Sequence, residues 1–469
     1  MSIKNKKQGI FIIGLIYLFI FIPIIFMRYP DIKNEFKYFI ISQDMIDRGN
    51  YLILKYFGNL YPDKPPLYFW ILVFFKKYFI NLFYPLSLIF GSLVPSFLTN
   101  IIAFNLFSKF LEVKKAFLVS ITLVVFPYLI GTSSILRMDS LMNVFIISSL
   151  YLFYIMYFKV EKITNLKINF MYIFMGVGAL VKGGAAIAVP MVAILTLLIF
   201  DKNIRFLKEI KLLRGLLIIV SIISLWMIAL LLQTEGLEYI KLLLGQETIG
   251  RALKSKSHAR PFYYYFKIMP LTLLPLTPFF ILSLIKYFRN IRFFETWNNL
   301  EKLSFTWFLG PFIFFSLMSG KLDIYLIPLY PGIVAITYCY IFGLNNNKII
   351  TSIKFIIGVL LVFCITVIPI LPIYNSSYTL KPIVRYLQNV PRDTDIISYK
   401  FPESKNLKDE IHYDIRNFEQ LNDEFNNSVG DNTLIITRDK YKNNLDHNFT
   451  EVFFNDKYSI FKKNNPISL

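Results

Sequence analysis

Acidic and basic side chains recur in short polar stretches between the long apolar runs of this 469-residue chain. The carboxylates and cations of these stretches, with one imidazole, are Glu35, Asp63, Asp139, Glu247, Lys64, Lys182, Arg251, Arg260, Lys321 and His258. Cations held at a membrane surface stabilise a phosphate leaving group, carboxylates deprotonate a hydroxyl or bind a divalent metal, and aromatic faces suit sugar rings. These groups indicate a lipid-linked sugar phosphate as the substrate.

Two prolines directly follow the acid–base pair Asp63-Lys64. Because proline fixes its own φ and restricts the residue before it, Pro65 and Pro66 hold the pair on a rigid, extended turn. Rigid placement at the membrane surface suits a reactive site better than a solvated loop does.

Asp139 and Lys182 lie at the ends of apolar runs. A carboxylate this close to hydrocarbon is costly unless it faces a wet cavity or a partner, so Asp139 is a candidate site residue. The alternative is an ion pair with Arg137 that only caps a helix. Lys182, which precedes Gly183, also has two interpretations: a phosphate ligand, or a lysine that extends to the membrane surface.

His258 is one of three histidines, and it alone lies among charged stretches next to the apolar runs. A lone histidine is usually polar surface, but imidazole is also a common acid–base group and metal ligand. The two interpretations of His258 stay open.

The apolar runs predict a polytopic membrane protein. The residues are 55% hydrophobic and the mean hydropathy is +0.54, which excludes an ordinary soluble domain. Runs of about 17–25 residues, the length that spans a bilayer, predict about eleven spans. They lie at roughly 9–27, 84–108, 115–132, 139–158, 168–182, 184–200, 212–233, 263–285, 303–319, 324–343 and 349–374.

Lysine and arginine are concentrated on one side of these spans. Lys4, Lys6 and Lys7 precede the first span, and the loops after spans two, four, six, eight and ten carry further Lys or Arg. By the positive-inside rule the N-terminus and these loops are cytoplasmic, and an odd number of spans places the C-terminus outside. The stretches that could do chemistry fall in the alternate, external loops. The topology also explains the formal net charge of +20, so nucleic acid is not an expected partner.

The composition turns polar after residue 374. We expect a membrane domain at 1–374, with long external loops at 28–83 and 234–262, and a small extracytoplasmic α/β domain at 375–469. Its strand candidates are Ile396–Tyr399 and Leu434–Thr437, its helix candidates are Ile383–Val390 and Phe418–Phe425, and its hairpin candidate is Val452–Phe454 with Tyr458–Phe461.

The order of the motifs resembles one known family. The motifs are, in chain order, Asn34-Glu35 with Lys37-Tyr38, Asp63-Lys64-Pro65-Pro66, Arg137-Met138-Asp139, Lys182-Gly183, Glu247 with Arg251, His258 with Pro261-Phe262-Tyr263-Tyr264, and Ser319-Gly320-Lys321-Leu322 with Tyr325. Together they resemble the aminoarabinose transferase branch of the protein O-mannosyltransferase-like family. Its members are integral-membrane glycosyltransferases of the GT-C type, which take a sugar from a polyprenyl phosphate and attach it outside the cytoplasm to lipid A, protein or another envelope acceptor.

The resemblance implies roles for individual residues. Asp63 and His258 would hold a divalent metal such as zinc, Asp139 would be an acidic site residue, and Glu35 would belong to the acidic pair that opens the catalytic loop. Lys64, Arg251 and Tyr325 would contact the donor phosphate. To these the charged stretches themselves add Lys182 and Lys321 as candidate phosphate ligands. Further candidates for the site are Asn34 and Glu247.

The chain departs from the family pattern at three positions. The family has an Asp-Glu pair where this chain has Asn34-Glu35, and because an amide cannot act as a general base, Glu35 or the nearby Asp31 would take that role. Asp63 replaces a common Glu. Its side chain is one methylene shorter, and a metal site tolerates Asp in place of Glu. Asp323 replaces a common Pro, and the sequence offers no interpretation of that change.

The sequence therefore predicts a multi-pass glycosyltransferase of the cytoplasmic membrane, with its active site and C-terminal domain outside the cytoplasm. It would move a sugar from a polyprenyl-phosphate donor to a lipid A-like lipid, a glycan or a protein, among membrane lipids. Two alternatives stay open: a polyprenyl-lipid transporter or flippase, and a non-catalytic relative that binds such lipids. A transporter predicts charges at midplane depth and on both sides of the bilayer. The sequence indicates neither the sugar nor the acceptor nor the oligomeric state.

Overall fold

The computed structural model describes residues 3, 5–245, 258–373, 379–445 and 448–464. The chain forms two compact units. The membrane unit contains Met1–Ile22 and Asp44–Ile365, and the C-terminal unit contains Pro23–Gln43 and Thr366–Leu469. The predicted boundary at residue 374 assigned residues 23–43 to the membrane domain, whereas the structure packs them with the C-terminal residues.

The membrane unit is helical. Its α-helices are α1 (Lys6–Met27), α2 (Glu35–Arg48), α3 (Leu67–Tyr78), α4 (Phe83–Leu88), α5 (Val94–Phe107), α6 (Val113–Val125), α7 (Pro127–Ser133), α8 (Met138–Tyr157), α9 (Asn165–Lys182), α10 (Ala185–Phe200), α11 (Phe206–Glu209), α12 (Leu212–Leu231), α13 (Gly236–Leu242), α14 (Tyr264–Thr272), α15 (Thr277–Arg289), α16 (Asn299–Leu317), α17 (Tyr330–Gly343) and α18 (Asn347–Val367). Parts of α1, α2 and α18 belong to the C-terminal unit. The remaining elements are 3-10 helices at Ile80–Leu82, Ile291–Thr296 and Asp323–Leu329, a π-helical segment at Ile89–Leu93, and a hairpin of β1 (Lys55–Tyr56) and β2 (Asn59–Leu60).

Within the described residues, six helical segments are long and apolar enough to cross a membrane. They are Lys6–Met27, Ile80–Phe107, Met138–Tyr157, Leu212–Leu231, Asp323–Gly343 and Asn347–Ile373. The pair α6 and α7 is a further candidate with a 59° bend, where Pro127 has no N–H for the helical hydrogen bonds. The chain is a mainly helical, multi-pass membrane protein, so the predicted fold class is confirmed. The number of eleven spans stays a prediction.

The predicted eighth span, 263–285, is divided between two helices. α14 ends at Thr272 and α15 begins at Thr277. Pro275 lies between them and Pro278 lies in the first turn of α15. Proline cannot donate a backbone hydrogen bond, so the helical pattern of the side chains does not carry through this segment.

Two glycines let α9 and α12 approach closely. A Cβ atom added at Gly215 would lie 2.2 Å from the ring of Tyr172, and one added at Gly176 would lie 2.8 Å from Ile222. Small residues permit such close contact between helices in membranes. The contact fixes the position of α9, which ends at Lys182.

The C-terminal unit contains a five-stranded mixed sheet. Its strands are β3 (Asp395–Tyr399), β4 (Arg416–Phe418), β5 (Thr433–Arg438), β6 (Phe449–Asn455) and β7 (Tyr458–Lys463), in the order β4-β3-β5-β7-β6. β3 pairs in parallel with β4 and β5, and β7 pairs antiparallel with β5 and β6. Its helices are α19 (Lys381–Gln388), α20 (Lys408–Ile411) and α21 (Asp423–Asn427), with 3-10 helices at Ile368–Ile370, Pro402–Leu407 and Asp439–Asn444. β3 and β5 are almost wholly buried, as their apolar sequences require.

Both strands, the first helix and the hairpin predicted for this unit are confirmed. The helix predicted at Phe418–Phe425 is wrong. Phe418 ends β4, and α21 begins only at Asp423, where the side chain of Asn422 accepts the N–H of Phe425 at 3.1 Å. The spacing of the two phenylalanines imitates a helical face because both rings enter the same core, with their centroids 5.5 Å apart.

Candidate active site

Asp139 lies in the first turn of α8 and is 3% exposed. The segment before it is fixed by Ser92, whose hydroxyl accepts the N–H of Arg137 at 3.2 Å and donates to the carbonyl of Ile135 at 2.7 Å. Ser92 belongs to the π-helical segment Ile89–Leu93, a local distortion that is frequent at functional sites. No motif in the sequence predicts this segment.

Two cations accompany the Asp139 carboxylate. The ammonium of Lys182 donates to Oδ1, and Arg137 Nε lies 3.5 Å from Oδ2. Asp139 therefore has the ion pair with Arg137 that the sequence offered as one interpretation, and it also binds a lysine from another helix. Its role as a site residue stays a prediction. Lys182 is the last residue of α9, where a cation is favourable against the helix dipole. Gly183, with φ of +96°, ends the helix.

Tyr325 completes this group, here named the Asp139 cluster (Arg137, Asp139, Lys182 and Tyr325). The Lys182 ammonium lies 5.1 Å from the centroid of the Tyr325 ring, a cation–π distance. Tyr325 is held by the 3-10 helix Asp323–Leu329. The structure thus brings together three of the predicted site residues from three separate motifs, and their roles stay predictions.

A small polar cavity lies beside the first turns of α8. Its volume is about 30 Å³, and its lining includes Ser140 and Asn143 of α8 and Thr99 and Asn100 of α5. Within the described part of the chain, Thr99 Oγ1, Asn100 Oδ1 and Asn143 Oδ1 have no hydrogen-bond partner. The size and the polar lining are those that a buried water molecule requires. Asn143 lies one turn after Asp139, so the polar face of α8 continues inward.

The helix that follows Asp63 and Lys64 lies beside the segment that precedes Asp139. α3 begins at Leu67, directly after the two prolines. At Gly91 an added Cβ would meet Tyr68 Oη at 2.9 Å and Leu136 Cδ1 at 2.8 Å. Tyr68 of α3 and Leu136, which precedes Arg137, therefore flank the same glycine.

The two long loops predicted to be external contact each other. Asn50 Nδ2 donates to Gln233 Oε1 at 3.1 Å, Lys55 pairs with Glu235 at 2.7 Å, and Tyr239 donates to the carbonyl of Tyr61 at 3.0 Å. Burial raises the pKa of Tyr239 above its usual value, and the carboxylate of Asp63 adds to that rise. Tyr239 was not among the predicted site residues, because only the folded chain brings α13 next to Tyr61 and Asp63.

His258 and Lys321 are joined through the backbone. The N–H of Lys321 donates to the His258 carbonyl at 3.0 Å, and the N–H of Arg260 donates to the Ser319 carbonyl at 3.2 Å. The Lys321 ammonium donates to the carbonyls of Arg260, at 3.0 Å, and of Met318. Lys321 is 3% exposed, and burial lowers its pKa. Its ammonium therefore stabilises the junction of two loops, while the side chain of His258 is exposed.

Asp323, which the sequence left without interpretation, accepts a hydrogen bond from the hydroxyl of Tyr264. The neighbouring Tyr265 hydroxyl donates to the carbonyl of Leu322 at 3.1 Å. The guanidinium of Arg260 lies 5.6 Å from the Tyr264 ring. The side chain of a proline at 323 could not accept a hydrogen bond from the Tyr264 hydroxyl. This chain therefore links the segments of Tyr264 and Asp323 by a contact that the common family residue does not offer.

Glu35, Asn34 and Asp31 lie in the C-terminal unit. Glu35 is fully buried, and Arg28 donates to both of its carboxylate oxygens, at 2.8 and 2.5 Å. The Asp31 N–H donates to Glu35 as well. Asp31 in turn accepts from the backbone N–H and the side-chain amide of Asn34, at 2.8 and 2.9 Å. Arg28 was not among the predicted site residues.

The amide of Asn34 now has a physical explanation. An aspartate at this position would place a second carboxylate against Asp31, whereas the amide of Asn34 donates to it. Two further contacts hold the same segment against the C-terminal residues. Lys33 lies 3.4 Å from Glu403, and the amide of Asn406 donates to the Ile32 carbonyl at 2.7 Å.

The predicted metal site lacks a complete ligand set in the described residues. Among them, no group of three or more His, Cys, Asp or Glu side chains could hold a metal ion. A protein zinc site needs at least three such ligands, and Asp63 and His258 supply two. No step proposed below depends on a metal. The predicted residues Glu247 and Arg251 lie outside the described residues.

Comparisons with known proteins agree with the motifs. The family described as dolichyl-phosphate-mannose-protein mannosyltransferase matches residues 63–228. The undecaprenyl phosphate-alpha-4-amino-4-deoxy-L-arabinose arabinosyl transferase of Serratia proteamaculans is 25% identical over 305 residues, which are 63% of this chain and 52% of the relative. The protein of the same name from Pseudomonas savastanoi pv. phaseolicola is 23% identical over 304 residues, 63% of this chain and 54% of the relative. The matches thus span about half the length of these curated relatives.

Solved structures share the fold. ArnT from Cupriavidus metallidurans, crystallised with undecaprenyl phosphate, has a TM-score of 0.74 at 14% identity, and the alignment covers 98% of each chain. The Archaeoglobus fulgidus oligosaccharyltransferase has a TM-score of 0.56 at 12% identity, covering 93% of this chain and 69% of that one.

The fold is therefore the one that ArnT and the Archaeoglobus fulgidus oligosaccharyltransferase share, and the predicted GT-C type of fold is confirmed. The predicted resemblance to the aminoarabinose transferases is confirmed as well, and the long apolar helices agree with the expected multi-pass membrane protein. The matched family region includes the Asp63 turn and the residues Asp139 and Lys182.

Proposed function

We propose that the chain is a membrane glycosyltransferase that moves a sugar from a polyprenyl-phosphate donor to an envelope acceptor, with a lipid A-like lipid as the first candidate. The Asp139 cluster carries this proposal. It places a buried carboxylate, a lysine ammonium and a tyrosine ring from three distant motifs side by side at the N-terminal end of α8. The names of the sequence relatives and the fold shared with a protein crystallised with undecaprenyl phosphate support the donor.

The transfer breaks the bond between the anomeric carbon of the sugar and a phosphate oxygen. An acceptor oxygen or nitrogen forms the new bond to that carbon from the opposite side, and its proton passes to a carboxylate, for which Asp139 or Glu35 would serve. The lipid phosphate leaves with added negative charge. Among the described residues that were predicted to bind the donor phosphate, we assign Lys182 and Lys64 to stabilise this charge.

Two predicted phosphate ligands receive different assignments. Because Lys321 already donates to two backbone carbonyls, we assign it to holding the 258–260 and 318–321 loops together. Lys182 stays in the phosphate set because a lysine is a flexible point charge that can exchange one anion for another. Asp139 then has a second role, which is to hold the ammonium of Lys182 beside Tyr325.

The test uses the purified full chain in lipid nanodiscs with undecaprenyl phosphate-linked 4-amino-4-deoxy-L-arabinose, radiolabelled in the sugar, and lipid A as acceptor. Donors carrying other sugars, and peptide and glycan acceptors, are run in parallel. We expect label in an acceptor with the wild type, and slow release of free sugar when the acceptor is left out.

Matched variants make the test specific. Lys64→Ala and Asp139→Ala should abolish transfer, whereas Lys348→Ala, at an exposed lysine, should retain it. Movement of intact donor across a vesicle membrane without bond cleavage would favour a transporter. Donor binding with neither transfer nor sugar release, across all donors, would favour a non-catalytic relative.

A further inference from the structure

A larger pocket opens in the membrane unit, apart from the Asp139 cluster. Its volume is about 580 Å³, within the range of roughly 300–1,000 Å³ that small-molecule sites occupy. It is lined by the turn after α5 (Lys109–Leu111), the first turn of α16 (Asn298–Glu301) and the last turns of α17 (Cys339, Phe342 and Gly343). We name it the Lys109 pocket.

The Lys109 pocket lies at the opposite end of α8 from Asp139. Lys109 pairs at 3.0 Å with Glu161, which follows the last residue of α8. α8 has 20 residues, so about 30 Å of helix separates the two sites. By the positive-inside rule this end faces the cytoplasmic leaflet. The pocket therefore has no part in the transfer proposed above.

Two further lysines border the pocket. Lys115 Nζ lies 5.6 Å from the ring of Phe342, a lining residue. Lys286 Nζ lies 5.0 Å from the ring of Tyr287 and 3.5 Å from the position that a Cβ of Gly343 would take. Within the described residues neither lysine forms an ion pair with a carboxylate, and aromatic faces are their neighbours. A cation on an aromatic face keeps its attraction for an anion.

The carboxylate inside the pocket is already engaged. Glu301 accepts the N–H of Asn298 at 3.0 Å in a capping box and the hydroxyl of Tyr287 at 2.8 Å. The capped end of α16 contributes the positive end of a 19-residue helix to the same space. Lys109 is paired with Glu161 and Glu301 keeps its negative charge. The cations that the pocket offers to an anion are therefore Lys115 and Lys286, which form no ion pair with a carboxylate within the described residues. The apolar side chains of Leu111 and Phe342 line the same pocket.

We propose that the Lys109 pocket binds the phosphate headgroup of an anionic membrane phospholipid. Basic pockets between membrane helices on the cytoplasmic side are suited to such headgroups. Lys115 and Lys286 bind the phosphate, Lys109 is shared with Glu161, and the apolar lining contacts the start of the acyl chains. A free phosphate ion offers the same charge without the acyl chains, so the experiment separates the two.

The experiment measures lipid retention by native mass spectrometry of the purified full chain titrated with phosphatidylglycerol, with phosphatidylcholine, or with phosphatidylglycerol and excess inorganic phosphate. The double variant Lys115→Gln/Lys286→Gln should weaken phosphatidylglycerol binding about 10- to 30-fold, from about 1 kcal/mol for each lysine near an anionic lipid surface. The control is Lys348→Gln/Lys354→Gln, which removes two exposed lysines of α18 and should leave the affinity unchanged.

Three results of the lipid titrations overturn the proposal, and a fourth comes from the competition with phosphate. They are equal retention of phosphatidylglycerol by the wild type and the pocket variant, an equal loss in the control variant, and equal retention of phosphatidylcholine. Full displacement of the lipid by inorganic phosphate also overturns it, in favour of a soluble anion. Unchanged melting temperatures of both variants show that the comparison is made between folded proteins, and single variants at 115 and 286 replace the double variant if it melts early.

Discussion

Two buried carboxylates of this chain lie beside cations, yet they are held in different ways. Glu35 of the C-terminal unit receives both arms of the Arg28 guanidinium and a backbone N–H. Asp139 of the membrane unit receives a lysine ammonium on one oxygen, and the second cation, Arg137, stands off at 3.5 Å. A planar guanidinium that binds both oxygens of a carboxylate fixes the orientation of that carboxylate, whereas a flexible lysine ammonium can exchange one anion for another. The comparison favours Asp139 as the reactive carboxylate and Glu35 as a structural one.

The largest expected effect is a difference in transfer activity between variants of Asp139 and of Glu35. Asp139→Asn should lower the rate of sugar transfer by about 10²–10⁴-fold, the range for loss of a general base. Glu35→Gln should lower the melting temperature and keep most of the transfer rate of the protein that stays folded. Both rates are measured with the labelled donor in nanodiscs. Full activity of Asp139→Asn, together with loss of activity in Glu35→Gln, would reverse the comparison.

The next effect concerns the stability of the Asp139 cluster. Lys182→Met leaves the buried carboxylate without its ammonium and should cost about 3–5 kcal/mol of unfolding free energy. The double variant Lys182→Met/Asp139→Asn should recover part of that loss, because no buried carboxylate is then left without its ammonium, and Arg137, which is 24% exposed, stays in contact with solvent. Unfolding in a denaturing detergent measures all three proteins. Additive losses in the double variant would mean that the two residues act independently.

A smaller effect tests the fork at Glu35. Arg28→Lys keeps the charge but loses the bidentate geometry and should cost about 1–2 kcal/mol. Lys182→Arg is the matched exchange in the Asp139 cluster, and it should change the rate of transfer more than the stability. Melting temperatures and transfer rates of both variants give the comparison. An unchanged melting temperature of Arg28→Lys would mean that the planar guanidinium is not what holds the Glu35 carboxylate in place.

The smallest effect concerns Asn34. Asn34→Asp restores the common family pair but sets two carboxylates against each other, which should cost about 1 kcal/mol or less at pH 7. Lowering the pH to 4.5 should recover stability relative to the wild type, because protonation of either carboxylate removes the repulsion. Thermal unfolding at both pH values is the measurement. A stability gain at pH 7 would show that Asp31 is not the neighbour that selects the amide.

The sequence predicts the main features of this site because each motif carries a local signal. The double proline sets off Asp63 and Lys64, and the edge of an apolar run sets off Asp139. Which side chains meet is a tertiary property, so the pairing of Asp139 with Lys182 was not predictable. The role of Arg28 was hidden for the same reason, since its seven-residue separation from Glu35 crosses a turn.

The fold could be predicted wherever composition alone decides it. Long apolar runs fix the membrane class, and buried β-branched runs fix β3 and β5 of the C-terminal unit. The helix predicted at 418–425 is wrong and the apolar run at 263–285 is broken for a related reason. In both, the side chains suit a helix while the backbone, at Asn422 and at Pro275, does not continue one.

The glycine contact between α9 and α12 links the position of Lys182 to residues that carry no charge. Because a Cβ added at Gly176 or Gly215 would overlap Ile222 or Tyr172, a methyl group at either position should displace α9 and with it Lys182, without altering any charged residue. A smaller side chain at Tyr172 or Ile222 should restore the position of α9. Second-site revertants of a weak Gly215→Ala allele would then map to Tyr172, and those of Gly176→Ala to Ile222.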